Sequence, residues 1–426
     1  MLAKAGNLLL LFFLVSFAVY ANKEDRQKNE ILRFPENYEI RQQLKEELLE
    51  PLLDIKPETQ VFPLWGKEYR VKFEKLINQD GVFYSFINES EQGFIRDSRG
   101  SYTIKRNLGD GTFQWFKTVV RSESFCYLKI TPDYNRCFLD LYLFKELLYQ
   151  KIVLPIDFQT LVFEPFAKIV QLTEDIINWQ LVLYRGNRED YYEIKKIIER
   201  IRKLRPSIKE MDDGAQNSRG EFVYIETGAL QGEKKGLNCS GFAKWVVDGF
   251  YKPLTGTYLD IEALKYKPLE LRGNRWNRDK DINSDLYFGL DWTRNLALNL
   301  EQARSHELVA LEDTDVRCVP FFTYRENSGY PIKNLNLLLF ILASIEPGNF
   351  YLGSVNNVYS KNPLWRQHFH VAVFFPYFDN QGNFRIIVMD QHEEQSIESF
   401  TTKYSTDFIH FVRIKASSVF SPYAVE

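Results

Sequence analysis

Between residues 61 and 144 the chain repeats one pattern, and that pattern limits the folds open to it. Short runs of β-forming residues ("GVFYSFI", "GSYTIKR", "GTFQWFKTVV", "SFCYLKI", "RCFLDLYLF") alternate with turn signals such as Asn78-Gln79-Asp80-Gly81 and Pro132-Asp133-Tyr134-Asn135. Aromatic and β-branched runs closed by Gly, Asn, Asp or Pro read as antiparallel strands joined by turns. We expect a β-rich domain here, a small antiparallel sheet or barrel.

The flanking segments read differently. Residues 22–60 are polar and helix-prone ("QQLKEELLEPLLDI"), and Pro51 should end or kink a helix there. Residues 145–205 read as a helical connector. Its clearest helix has an apolar stripe at Tyr192, Ile194, Ile197, Ile198, Ile201 and Leu204. Acidic residues lie early and basic ones late, as the helix dipole favours. Pro206 and the loop-like "MDDGAQNSRG" mark the main boundary. Residues 206–426 read as α+β: a helix from Cys239, a long insertion over 252–345 holding the helical "LDWTRNLALNLEQAR", then strands "NFYLGSV", "HVAVFF", "FRIIVMD" and "FIHFVRI".

A chain of 426 residues, 45% of them hydrophobic, can build two to three domains with separate cores. Its net charge of -3 gives no reason to expect nucleic acid or an anionic membrane surface as a partner. The start reads as a signal peptide over 1–21. Lys4 precedes an almost continuous apolar run at 7–20, and Val19 and Ala21 satisfy the small-residue rule before Asn22. The run is shorter than the roughly 20 residues a membrane span needs. A periplasmic or secreted protein is expected, and there Cys126 and Cys137 can pair across a hairpin. Cys239 and Cys318 would then remain as thiols.

Cys239 stands where chemistry is easiest. A Gly and Asn stretch ends at "GLN", and an apolar helical run begins directly after the cysteine. A helix start favours negative charge, so a thiolate is stabilised there and free N–H groups can hold an oxyanion. Small Ser240 and Gly241 leave room for a substrate carbonyl. A buried cysteine capping the helix is the plain alternative. Of five histidines, His370 is the preferred base, because the apolar strand "HVAVFF" begins beside it. His368 would share its face if that strand extends back. A hairpin about "DNQG" (379–382) returns Asp390 toward His370, with Gln391 and His392 as secondary candidates for orienting the imidazole. No metal-ligand spacing appears, and no cofactor is expected.

These residues carry a resemblance. "LNCSGFAKWV" resembles the cysteine motif of the NlpC-type cell-wall cysteine peptidases, "EPGNFYL" their Pro-Gly-Asp strand, and "HVAVFF" their histidine strand, in the same order. The hairpin through "IIVMDQH" also looks like that of the related CHAP amidases. Asn238 and Asn349 depart from the aspartates usual in the NlpC type. The resemblance implies a papain-like domain, with the cysteine helix packed on an antiparallel sheet. It implies Cys239 and His370 as nucleophile and base, Asp390 as the third residue, and Tyr224 as the tyrosine near the nucleophile. The implied substrate is the stem peptide of peptidoglycan, cut by an endopeptidase peripheral to the cell envelope. An amidase or acyltransferase on another exported substrate, or a degenerate papain-like binding protein, are the alternatives. The β-rich region would bind cell wall or regulate access.

Overall fold

The computed structural model describes residues 33–52, 55–267, 285–361, 365–390 (the backbone alone at 390) and 393–423. The expected signal peptide lies outside them. The chain divides into two compact units, residues 1–184 and 185–426. Both are built on antiparallel sheets, giving a mixed α+β protein.

The first unit opens with two short helices, α1 (Tyr38–Gln43) and α2 (Lys45–Leu49), which end before Pro51. Nine strands follow: β1 (Glu58–Pro63), β2 (Arg70–Asn78), β3 (Gly81–Ser90), β4 (Gly93–Phe94), β5 (Tyr102–Arg106), β6 (Phe113–Val119), β7 (Tyr127–Asp133), β8 (Arg136–Leu143) and β9 (Glu146–Leu154). They pair in chain order as a meander, with β4 hydrogen-bonded to β3 alone. Strict alternation sets the layers. Ile104, Phe116, Leu128, Ile130, Leu139 and Leu141 are fully buried, while their strand neighbours are partly exposed. The sheet runs past the segment that sequence assigned to it, at β1 and again at β9. β9 (ELLYQKIVL) hides only Ile152 and Leu154, and its apolar residues fall in adjacent groups instead of the alternation that announces a half-buried strand. Helices α3 (Phe158–Val162), α4 (Phe166–Gln171) and α5 (Trp179–Val182) close the unit.

Cys126 and Cys137 do not form the expected disulfide; both are free and buried. The β7–β8 register sets Tyr127 opposite Tyr142 and Cys137 opposite Pro132, so the two thiols lie at opposite ends of the hairpin. Burial pushes both thiols up to about 12.

The second unit begins with α6 (Tyr192–Leu204), the helix read from its stripe, whose Ile194, Ile197, Ile198 and Ile201 are buried. It is therefore part of this unit rather than of a connector. A two-stranded ribbon follows, β10 (Ala215–Gln216) with β11 (Phe222–Val223). Then come α7 (Cys239–Thr255), α8 (Ile261–Leu264), α9 (Phe288–Ser305), α10 (Leu311–Thr314), β12 (Tyr330–Pro331) and α11 (Leu335–Ile345). β13 (Asn349–Val358), β14 (Arg366–Phe378), β15 (Phe384–Asp390), β16 (Glu393–Gln395), α12 (Ile397–Lys403) and β17 (Phe408–Lys415) complete it. The sheet order is β12-β17-β13-β14-β15-β16.

Helices cover both faces of this sheet. On one, Phe375 stacks on Phe350, which stacks on Phe250 of α7. On the other, Phe374 meets Phe400 of α12, and Phe378 meets Phe340 of α11. Each buried ring contributes roughly 1.5–3 kcal/mol over its exposed state. The segment expected as an insertion supplies α9, which packs on α7 and β14 with Trp292 and Leu296 fully buried. It is core, not appendage.

Candidate active site

Helix α7 starts at Cys239 because Asn238 caps it. The Asn238 side chain accepts from the Gly241 amide at 2.7 Å, and its own amide donates to the Gly214 carbonyl at 2.9 Å. Only glycine fits at 241, since a Cβ there would lie 2.0 Å from the Gly214 oxygen. The Trp292 indole donates to the Ser240 carbonyl at 2.9 Å, tying the helix start to α9. Four amides at a helix start have no intrahelical partner. Here those of Gly241 and Asn238 are satisfied by these contacts, which leaves those of Cys239 and Ser240.

The Cys239 side chain is partly exposed, and His370 lies near enough to act on its thiol. Burial alone would raise the thiol. The hydrogen bond and charge of His370, the Val371 amide and the Ser240 side chain outweigh it, and the thiol is held below its ordinary range. Val371 follows His370 and precedes Ala372, whose backbone pairs with Asp390 at the last described rung of the β14–β15 ladder.

β14 begins at Arg366, so His370 lies inside the strand and not at its start. The strand does extend back through His368, but the two histidines do not share a face. His370 is opposite Val355 and His368 is opposite Asn356, and the register shifts between those neighbours. Phe369 is the extra residue of a β-bulge. Because side chains alternate, the bulge sends the two rings to opposite faces. His368 is buried, its Nδ1 2.9 Å from the Ser354 hydroxyl and its Nε2 3.0 Å from the Asn327 carbonyl. Both ring nitrogens are thereby occupied. The same buried layer holds Arg294, whose guanidinium grips Asp315 at 2.7 and 3.1 Å beside His410. His306 is the left-handed cap that ends α9.

The other expected residues divide. Ser240 is buried, and its side chain helps to hold the thiol low. Tyr224 follows β11 at the surface, its amide bonded to the Ala229 carbonyl in a turn. Asp390 ends β15 with its backbone opposite Ala372, two positions beyond His370. Gln391 and His392 lie outside the described residues, as does the side chain of Asp390. Sequence reasoning missed Tyr404, whose ring stacks on His370 with centroids 5.7 Å apart and planes 25° apart. No local signal marks it, because it comes from the turn after α12. The Asn238 cap was legible, as an Asn directly before an apolar helical run.

No curated protein and no solved structure matches the chain. Residues 30–181, nearly all of the described part of the first unit, match a family model described as a domain of unknown function (DUF8515).

Proposed function

We propose that the second unit is a papain-like cysteine hydrolase that cleaves amide bonds in peptidoglycan stem peptides outside the cytoplasm. The observation that carries this reading is a thiol, Cys239, that begins a helix and is held low by the neighbouring His370. A helix bearing the cysteine, packed on an antiparallel sheet bearing the histidine, supports the papain-like assignment.

The chemistry follows from the positions. Cys239 thiolate attacks the amide carbonyl. The amides of Cys239 and Ser240 receive the developing oxyanion, as donors fixed before reaction do at least cost. His370 protonates the leaving amine, which breaks the C–N bond and leaves a thioester. It then takes a proton from water, whose oxygen attacks the thioester and releases the acid and the thiol. Asp390, at the end of the neighbouring strand, is the proposed partner of the imidazole. Tyr404 holds the plane of His370 from the side. No step calls for a metal or an organic cofactor.

Digestion of purified peptidoglycan by the wild-type chain and by Cys239→Ala, read by mass spectrometry, tests this. New muropeptide fragments should appear with wild type only. Absence of fragments, or the same fragments from both, would end the peptidase reading.

A further inference from the structure

Strand β14 carries an extra residue, Phe369, directly before the proposed base, and the bulge sets which way that residue faces. The β13–β14 register puts His370 opposite Val355 and His368 opposite Asn356, so Phe369 has no cross-strand partner of its own. In an unbroken strand successive side chains take opposite faces. Phe369 and His370 do not. Both rings meet Tyr404, Phe369 at 6.0 Å between centroids and His370 at 5.7 Å. Bulges re-aim side chains beside active sites. This one sets a phenyl ring next to the imidazole, on the same side of the sheet.

The row of rings runs from core to solvent. Tyr404 rests on the fully buried Phe400 at 4.9 Å and is itself buried, whereas Phe369 is 41% exposed. A single exposed apolar residue is ordinary on a protein surface. Phe369 differs because regular alternation would have placed it on the face opposite His370. The extra residue turns it out beside the group that handles the proton.

The proposed chemistry fixes which half of a substrate Phe369 meets. His370 must reach the leaving nitrogen to protonate it, so what surrounds His370 surrounds the amine half. The carbonyl oxygen of the acyl half belongs at the start of α7, with the amides there. We infer that Phe369 is the specificity-determining residue for the amine half of the substrate, and that it selects amides bearing an apolar ring or chain on that half. This deepens the reading of Cys239 and His370 as nucleophile and acid, and rests on it. Covering the exposed part of the ring with an apolar group takes both surfaces out of water, which favours such a substrate about fivefold over one with hydrogen in that place.

The test reads labelling of Cys239 in the full chain, in a Cys318→Ser background, by iodoacetamide and by N-benzyliodoacetamide. The benzyl group stands on the amide nitrogen, as the amine half of a substrate does. Each rate is divided by the rate of the same reagent with glutathione, which removes intrinsic reactivity. The benzyl reagent should then lead by about fivefold in the wild type. Phe369→Ala should bring the two reagents together, and Phe369→Leu should keep part of the lead. Val358→Ala, at another exposed apolar residue of the same sheet, should keep all of it. Equal corrected rates in the wild type would overturn the inference. So would a lead that survives Phe369→Ala while the pH profile of labelling moves, since Phe369 would then serve only to brace Tyr404 against His370. Labelling is read apart from hydrolysis: a benzyl lead without muropeptide fragments would remove the peptidase reading and keep the apolar subsite, and fragments without the lead would do the reverse.

Discussion

Replacing His370 by Gln separates the two influences that set the state of Cys239. In the wild type, burial opposes ionisation, and His370 opposes burial through a hydrogen bond and its charge. In His370→Gln burial is countered by the Val371 amide and Ser240 alone. A hydrogen bond to a charged group is worth roughly 1.5–3 kcal/mol. At 1.36 kcal/mol per pH unit, its loss lowers the thiolate fraction about 13- to 160-fold. A less acidic thiolate is a better nucleophile, with a Brønsted slope of about 0.4–0.5. That recovers almost half of the effect on a logarithmic scale. The net expectation is alkylation roughly 4- to 16-fold slower at pH 6.5. The assay is iodoacetamide labelling followed by peptide mass spectrometry in a Cys318→Ser background, since Cys318 is exposed while Cys126 and Cys137 are buried. The order should reverse at a pH high enough to ionise both thiols, where only intrinsic nucleophilicity counts. Equal rates at pH 6.5, or a faster variant there, would refute the pairing of His370 with Cys239.

Three further outcomes are expected. Gly241→Ala drives a Cβ into the Gly214 oxygen at 2.0 Å, so it should cost about 1–3 kcal/mol of stability and slow alkylation of Cys239, measured by urea unfolding and labelling. Tyr404→Phe keeps the ring on His370 and should leave the pH profile of Cys239 alkylation in place; Tyr404→Ala removes it and should move that profile to higher pH, and identical profiles would sink the positioning role. Burial, with neighbouring cationic charge, depresses His368 and His410, so the unfolded chain binds their protons first. Their contribution is complete above the unfolded pKa near 6.5 and falls as pH drops through the window between that value and the folded one, by at most about 1.4 kcal/mol per pH unit for each; urea midpoints that stay constant from pH 7.5 to 5.5 would refute this.

Much of this protein is local and was legible in the sequence. An Asn before an apolar helical run fixes a helix start at Cys239, because the cap and the orphan amides depend on a few consecutive residues. The alternation of "YTIKR" and "RCFLDLYL" fixes two strands and the side each buries. The apolar stripe of α6 fixes that helix, though not the unit to which it belongs. Tertiary structure decided whatever turns on register and distance along the chain. One extra residue at Phe369 parts His368 from His370, and nothing in "QHFHVAV" announces a bulge. Cys126 and Cys137 sit eleven positions apart in sequence, yet the β7–β8 register sends them to opposite ends of a hairpin. Tyr404 reaches His370, and Lys117 meets Lys129, across chain that carries no local sign of either contact. A strand's own residues choose its faces; its partners, and the residues set opposite, are chosen by the packing of the whole sheet.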